Sequence, residues 1–211
     1  MAATGTSWRT EQLVALDLEG SGAQDRDKEA LLEVAVVPLL NGQPDVDNAY
    51  ATMVNPGRKI RQGPWISPGL TNSVLAGAPP LGDVEPNLAK RLDRAVIVGH
   101  NIGVDWRLLH RRCPAIQPRA LLDTLRLAKH VRPTEKARSL TSLLDRHELT
   151  GIVNKLASAS QPHRALWDTT AAALLLAALT TVGYDHDPTL EQLIQVAAIP
   201  LDLAPTAPRL F

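Results

Sequence analysis

A short apolar run, Leu13 to Leu18, ends in two carboxylates, Asp17 and Glu19, followed by Gly20-Ser21-Gly22. Its length and polar flanks predict a buried strand. Side chains alternate along a strand, so residues two apart share a face. Asp17 and Glu19 therefore project together where the strand ends. Acids in that position imply either two solvated charges or one side of a metal site.

Two further acids deepen the second reading. Asp105 follows the apolar stretch Val96-Ile97-Val98-Gly99-His100-Asn101, and Asp168 follows His163 by five residues. Taken singly, each has an ordinary explanation. Asp105 falls in the first turn of an expected helix, where carboxylates suit the helix dipole. Asp168 fits an exposed helix face, and His163 a surface position near a helix start. Five residues correspond to about 140° around a helix, so His163 and Asp168 would not share a face if both were helical. Pro162 instead puts His163 at the helix start or in the loop before it. Together, four carboxylates and a histidine fit two divalent metals and a general base, the chemistry of phosphodiester cleavage.

The remaining pattern orders the chain. Leu31 to Leu40 reads as a second strand, stopped by Asn41-Gly42, and Ala49 to Val54 as a third, stopped by Asn55-Pro56-Gly57. These three make an antiparallel meander. A Gly- and Pro-rich stretch, 58–86, holds one short helix around 69–76. Helices are expected over 84–92, 103–112, 121–131, 140–149, 163–182 and 189–197, with a buried strand at 95–98. Strands first and helices later imply an α/β or α+β sheet covered by helices.

Composition narrows the function classes. The 211 residues suit one domain, read as an N-terminal extension (1–12), a main domain (13–183) and a C-terminal helix and tail (184–211). Lys plus Arg and Asp plus Glu both number 22, so the chain lacks the basic excess of proteins that coat nucleic acid nonspecifically. It should touch a short stretch of nucleic acid, or none. A lone cysteine, Cys113, excludes an internal disulfide and a cysteine-rich zinc site. The start has no basic segment leading into an apolar one, and the longest apolar run, Ala171 to Leu179, is far below the ~20 residues of a membrane span. A cytoplasmic protein without a membrane partner is the expectation.

The ordered motifs resemble one enzyme family. LVALDLEG resembles the first motif of the DEDDh 3′–5′ exonucleases, the family of the epsilon proofreading subunit of bacterial replicative polymerase. VGHNIGVDWRLL is similar to the second motif, and HRALWD matches the third, His-x-Ala-x-x-Asp. VNP (54–56) with ISPGLT (66–71), and LLDTLRLAKHV (121–131), add two secondary matches. The resemblance spans roughly residues 13–179, and five ordered matches make it specific. It implies an RNase H-like fold, a mixed five-stranded sheet flanked by helices. It implies that Asp17, Glu19, Asp105 and Asp168 bind two Mg2+ or Mn2+ ions and that His163 takes a proton from the attacking water. The substrate would be the 3′ end of a single strand, DNA before RNA, and the product a nucleoside 5′-monophosphate. An oligoribonucleotide-trimming enzyme and a non-catalytic interaction module are the alternatives. A polymerase or other protein is the partner that the resemblance brings with it.

Leu18, Gly20, Ser21, His100 and Asn101 stand in the motif positions that would seat the terminal nucleotide. Gly20-Ser21 replaces two threonines usual in the family, and Val104 replaces a phenylalanine. Trp65 is the expected base-stacking residue. Trp106 and Trp167 are expected to pack in the core or the site wall. Arg126, Lys129, Arg132, Lys136 and Arg138 form a basic stretch that would either line a phosphate backbone or be solvated. The terminal Pro208-Arg209-Leu210-Phe211 reads as an unstructured end or a small docking peptide.

Overall fold

The computed structural model describes residues 6–201. The terminal peptide 208–211 lies outside the described residues. β1 (Leu13–Gly20) is the middle of one sheet. β2 (Leu31–Leu40) pairs with it antiparallel, from Leu13 opposite Leu39 to Glu19 opposite Glu33, and the register shifts between Glu19 and Gly20. Two strands add to the outer edge of β2: β3 (Gln43–Pro44) at its end and β4 (Tyr50–Met53) at its start. On the other side β5 (Val96–Gly99) runs parallel to β1, and β6 (Ala120–Asp123) parallel to β5. β7 (Ala198–Ile199) closes that edge antiparallel to β6. The five longer strands are the mixed sheet expected of an RNase H-like fold. Two strands of two residues each extend it to seven among the described residues.

Helices cover both faces. α2 (Leu81–Leu92) and α3 (Gly103–Arg112) cover one, against Leu16, Leu18, Val34, Val36 and Ile97. α4 (Thr124–Val131), α5 (Leu140–Arg146), α7 (Ala165–Gly183) and α8 (Leu190–Ala197) cover the other, around Leu13, Ala15, Val96, Val98 and Leu122. Leu13, Ala15, Asp17 and Glu19 alternate with Leu16 and Leu18, so the two acids continue the α7 face of β1. Two short helices, α1 (Asn72–Ala76) and α6 (Thr150–Leu156), lie outside these layers' main supports. A fully buried leucine such as Leu16 or Leu175 contributes about 1.5–3 kcal/mol, which is how an aromatic-poor core holds.

α7 is the central support. It packs on β1 and β2, and the Thr169 hydroxyl donates to the Ala165 carbonyl at 2.6 Å and to the β2 carbonyl of Ala35 at 3.3 Å. By length and composition α7 could cross a membrane, but 72 % of its most apolar window is buried inside the protein. Such burial is what a core helix needs.

The expected helix over 121–131 is corrected. Leu121 to Asp123 belong to β6, and the helix starts at Thr124. The Asp123 carboxylate accepts the Leu125 N–H at 2.9 Å and so caps α4. Parallel pairing with β5 decides the strand, a tertiary effect that overrides the helical spacing of the leucines. The expected 140–149 helix ends at Arg146, and α6 follows after Glu148, which has left-handed φ of 58°. The described parts of the flanking segments, 6–12 and 184–201, pack on the same core. Trp8 is fully buried in the α7-side core, its backbone N–H donates to the Pro188 carbonyl at 3.0 Å, and Ser7 bridges Thr189.

Candidate active site

The sheet and α7 converge on three carboxylates. Asp17, Glu19 and Asp168 each offer an oxygen within 4.8 Å of the others. β1 supplies two because residues two apart share its α7 face. α7 supplies the third from its first turn. Asp105 is not one of this mutually close set, but its buried carboxylate abuts it from α3. Its Oδ1 accepts the backbone N–H of Leu18, between the two strand acids, at 3.1 Å.

Burial raises all four, and nearby negative charges raise them further. Asp105 is pushed up to about 8, chiefly by burial and further by the charges of Glu19 and Asp168, against the pull of the Leu18 N–H. Glu19 rises to about 7, mainly by burial, although a hydrogen bond from the Ser67 hydroxyl lowers it. Burial takes Asp168 to about 6 while the charge and backbone N–H of His163 pull it down. Asp17 is raised well above the carboxylate range by burial and then by Asp105, Asp168 and Glu19. An all-oxygen set that repels itself when ionised fits a hard divalent cation, which would relieve the repulsion.

His163 lies outside α7, exposed, with left-handed φ of 64°. This is the loop position that Pro162 implies. Its neighbour Arg164 turns inward to Glu33 of β2, with Nη2 donating to Oε1 at 2.6 Å and Nε to Oε2 at 2.8 Å.

The proposed nucleotide-seating residues are distributed unevenly. Leu18 is buried in the core, and its backbone serves Asp105. Gly20 is backed by Leu108 and Glu29, and a Cβ there would sit 3.0 and 3.1 Å from their side chains. Ser21 is buried, its hydroxyl donating to Asp25 at 2.6 Å and accepting from the Ala30 N–H at 2.9 Å. Both ring nitrogens of His100 are engaged, Nε2 donating to the Arg138 carbonyl at 3.0 Å and Nδ1 pairing with the Thr124 hydroxyl at 2.9 Å. Burial lowers its pKa, in keeping with a neutral ring. Asn101 has left-handed φ of 60°, an exposed side chain, and an N–H donated to Asp123 at 2.8 Å.

Trp65 is 41 % exposed, with the Arg61 guanidinium over its ring at 5.6 Å. Trp106 and Trp167 are buried, as expected, their indole N–H groups donating to the Leu201 carbonyl and to Asn154. In the basic stretch, Arg126 and Arg138 are tied to backbone carbonyls, whereas Lys129, Arg132 and Lys136 are exposed. Cys113 is buried, with its thiol pushed up to about 11.

Sequence reasoning missed Glu33, Arg164, Ser67 and Asp123. Glu33 had a signal, being the one charge inside the apolar run of β2. Asp123-Thr124 had the signature of a helix cap. Ser67 lies within the ISPGLT match, but nothing in that stretch singles out its hydroxyl.

Comparison with known proteins gives the same assignment. The exonuclease family RNase T matches residues 14–176. The chain is 28 % identical over 166 residues to DNA polymerase III subunit epsilon of Aquifex aeolicus, covering 76 % of each. It is 29 % identical over 163 residues, 76 % of this chain, to a DNA polymerase III subunit epsilon-like protein of Rhodobacter capsulatus, of which it covers 22 %. It spans 12–27 % of the length of that protein and three other curated relatives. The fold is similar to the nuclease domain of 3′hExo, a DEDDh family member solved with bound rAMP, with a TM-score of 0.62 and 14 % identity, covering 82 % of this chain and 93 % of that one. With this match over most of its length, the chain belongs to the RNase T exonuclease family.

Proposed function

We propose that the protein removes nucleoside 5′-monophosphates from the 3′ end of a single strand, DNA before RNA, using two Mg2+ or Mn2+ ions. The convergence of Asp17, Glu19 and Asp168 within 4.8 Å, beside the His163 loop, carries this reading. Asp17, Glu19, Asp105 and Asp168 would hold the ions. Bound there, divalent ions make a water more acidic and neutralise charge on the phosphate. His163 accepts the proton of the attacking water, a role suited to a side chain that ordinarily titrates near neutrality. The water oxygen bonds to phosphorus, the P–O3′ bond breaks, and the departing 3′-oxygen takes a proton from solvent. Trp65 stacks on a base of the incoming strand. Exposed Lys129, Arg132 and Lys136 attract its backbone.

The preference for DNA draws on the relatives named as polymerase subunits, which also suggest a polymerase as partner. The fold neighbour solved with rAMP favours RNA as the second reading. Matched DNA and RNA oligomers, 5′-labelled and competed against each other with Mn2+, separate the two. Faster shortening of DNA supports the first reading, and faster shortening of RNA overturns it. A full complement of acids and base speaks against a non-catalytic module, which would require no turnover of either.

A further inference from the structure

Glu33 is a buried charge that the chemistry above does not use. It stands opposite Glu19 in the β1–β2 pairing, and paired residues project to the same face. It is 8 % exposed, and its charge helps to raise Asp17, Glu19 and Asp168. Left free, it would be a fifth carboxylate beside the cluster.

Arg164 occupies it. Two parallel N–H donors grip both carboxylate oxygens, the fork geometry that guanidinium matches best. Nη1 donates to the Pro68 carbonyl at 3.3 Å, next to Ser67, whose hydroxyl donates to Glu19. The Ala165 N–H donates to Glu33 Oε2 at 3.1 Å and so caps α7, which receives no cap from its own N-cap side chain. Arg164 thus sits between the start of α7 and His163, whose left-handed backbone its surroundings must impose. Three of its five N–H donors are engaged in this way.

We infer that the Arg164–Glu33 pair is a positioning element, fixing His163 at the mouth of the carboxylate cluster and withholding Glu33 from the cation. The inference rests on the nuclease reading above. Calorimetry of Mn2+ binding to nucleic-acid-free protein tests it independently of turnover.

In Arg164→Ala, kcat falls about 10–100-fold, the usual effect of losing a group that orients a site. KM for the oligomer stays put, because Arg164 acts through Glu33 and the start of α7. Mn2+ binds more tightly, since Glu33 is released to the cluster. Adding Glu33→Gln to that variant returns Mn2+ affinity to the wild-type value while kcat stays low. Arg164→Lys, the variant to use if the alanine protein does not fold, keeps the charge without the fork and gives an intermediate kcat. Unchanged kcat per folded molecule, or full recovery of kcat in the double variant, overturns the positioning role. Unchanged Mn2+ affinity in Arg164→Ala overturns the withholding role. Wild-type protein inactive on every oligomer defeats the nuclease reading instead, and the calorimetry still decides whether Glu33 is withheld.

Discussion

The carboxylate of Asp105 accepts the backbone N–H of Leu18 at 3.1 Å, pinning the end of β1 between its two acids. One group thus faces the cation site and holds the strand that builds it. Asparagine keeps the acceptor and loses the charge, whereas alanine loses both. Asp105→Asn should raise the metal-free Tm by a few degrees, because about 1 kcal/mol corresponds to roughly 2–4 °C at this size. Asp105→Ala leaves a buried N–H unmatched and should cost about 1–3 kcal/mol. Both should lower turnover at least about 100-fold, as expected for a lost cation ligand. Thermal melts with a nuclease assay check each.

Metal-free stability should fall as pH rises. Asp168, Glu19 and Asp105 titrate at about 6, 7 and 8 in the folded protein, above their ordinary 3.8, 4.5 and 3.8. Between these limits the folded state binds more protons than the unfolded one, so their contribution is complete at about pH 4 and is lost by about pH 8. Melts across that range should show Tm declining, with a shallower decline in Asp105→Asn.

Divalent ions should cancel that decline. A cation present at 100 times its dissociation constant stabilises by about 2.7 kcal/mol. That equals a Tm rise of about 5–10 °C at pH 8. Mg2+ and Mn2+ titrations followed by calorimetry measure it, and Asp17→Asn should abolish it.

A threonine at position 20 would press on two neighbouring side chains. A Cβ there would lie 3.0 Å from Leu108 Cδ2 and 3.1 Å from Glu29 Oε1. Gly20→Thr should destabilise by about 1–3 kcal/mol through overpacking. Leu108→Ala carries its own cavity cost, so the pair should be less destabilising than the sum of the single changes. Denaturant melts of the two variants and their combination read the coupling directly.

Trp65→Ala should leave stability within about 0.5 kcal/mol, as for other exposed positions. Loss of a stacking platform costs about 1–3 kcal/mol of strand binding. KM for single-stranded oligomers should therefore rise about 5-fold or more with kcat unchanged. Steady-state kinetics on oligomers settles it, and an unchanged KM removes Trp65 from the substrate path.

The site was legible where local pattern sufficed. Period-two spacing put Asp17 and Glu19 on one face of β1, and Pro162 placed His163 ahead of α7. The spacing around Asp105 gave the bounds of α3. Long-range pairing was not legible. Leu121 to Asp123 became a strand because β5 lies beside it, and the run's leucines carry no mark of that neighbour. Glu33 was visible as a charge within an apolar strand, yet its partner Arg164 lies 131 residues away. α6 buries only Val153, too weak a periodic signal to announce a helix.

The proposed function requires the four carboxylates and His163 to act as one site at a 3′ terminus. A time course on a 5′-labelled single strand with Mn2+, comparing wild-type protein with His163→Ala and Asp17→Asn, tests it most directly. The expected result is a ladder shortening one nucleotide at a time from the 3′ end, with release of 5′-monophosphates and near-complete loss of both in either variant. Internal cuts, or equal activity in His163→Ala, would contradict it.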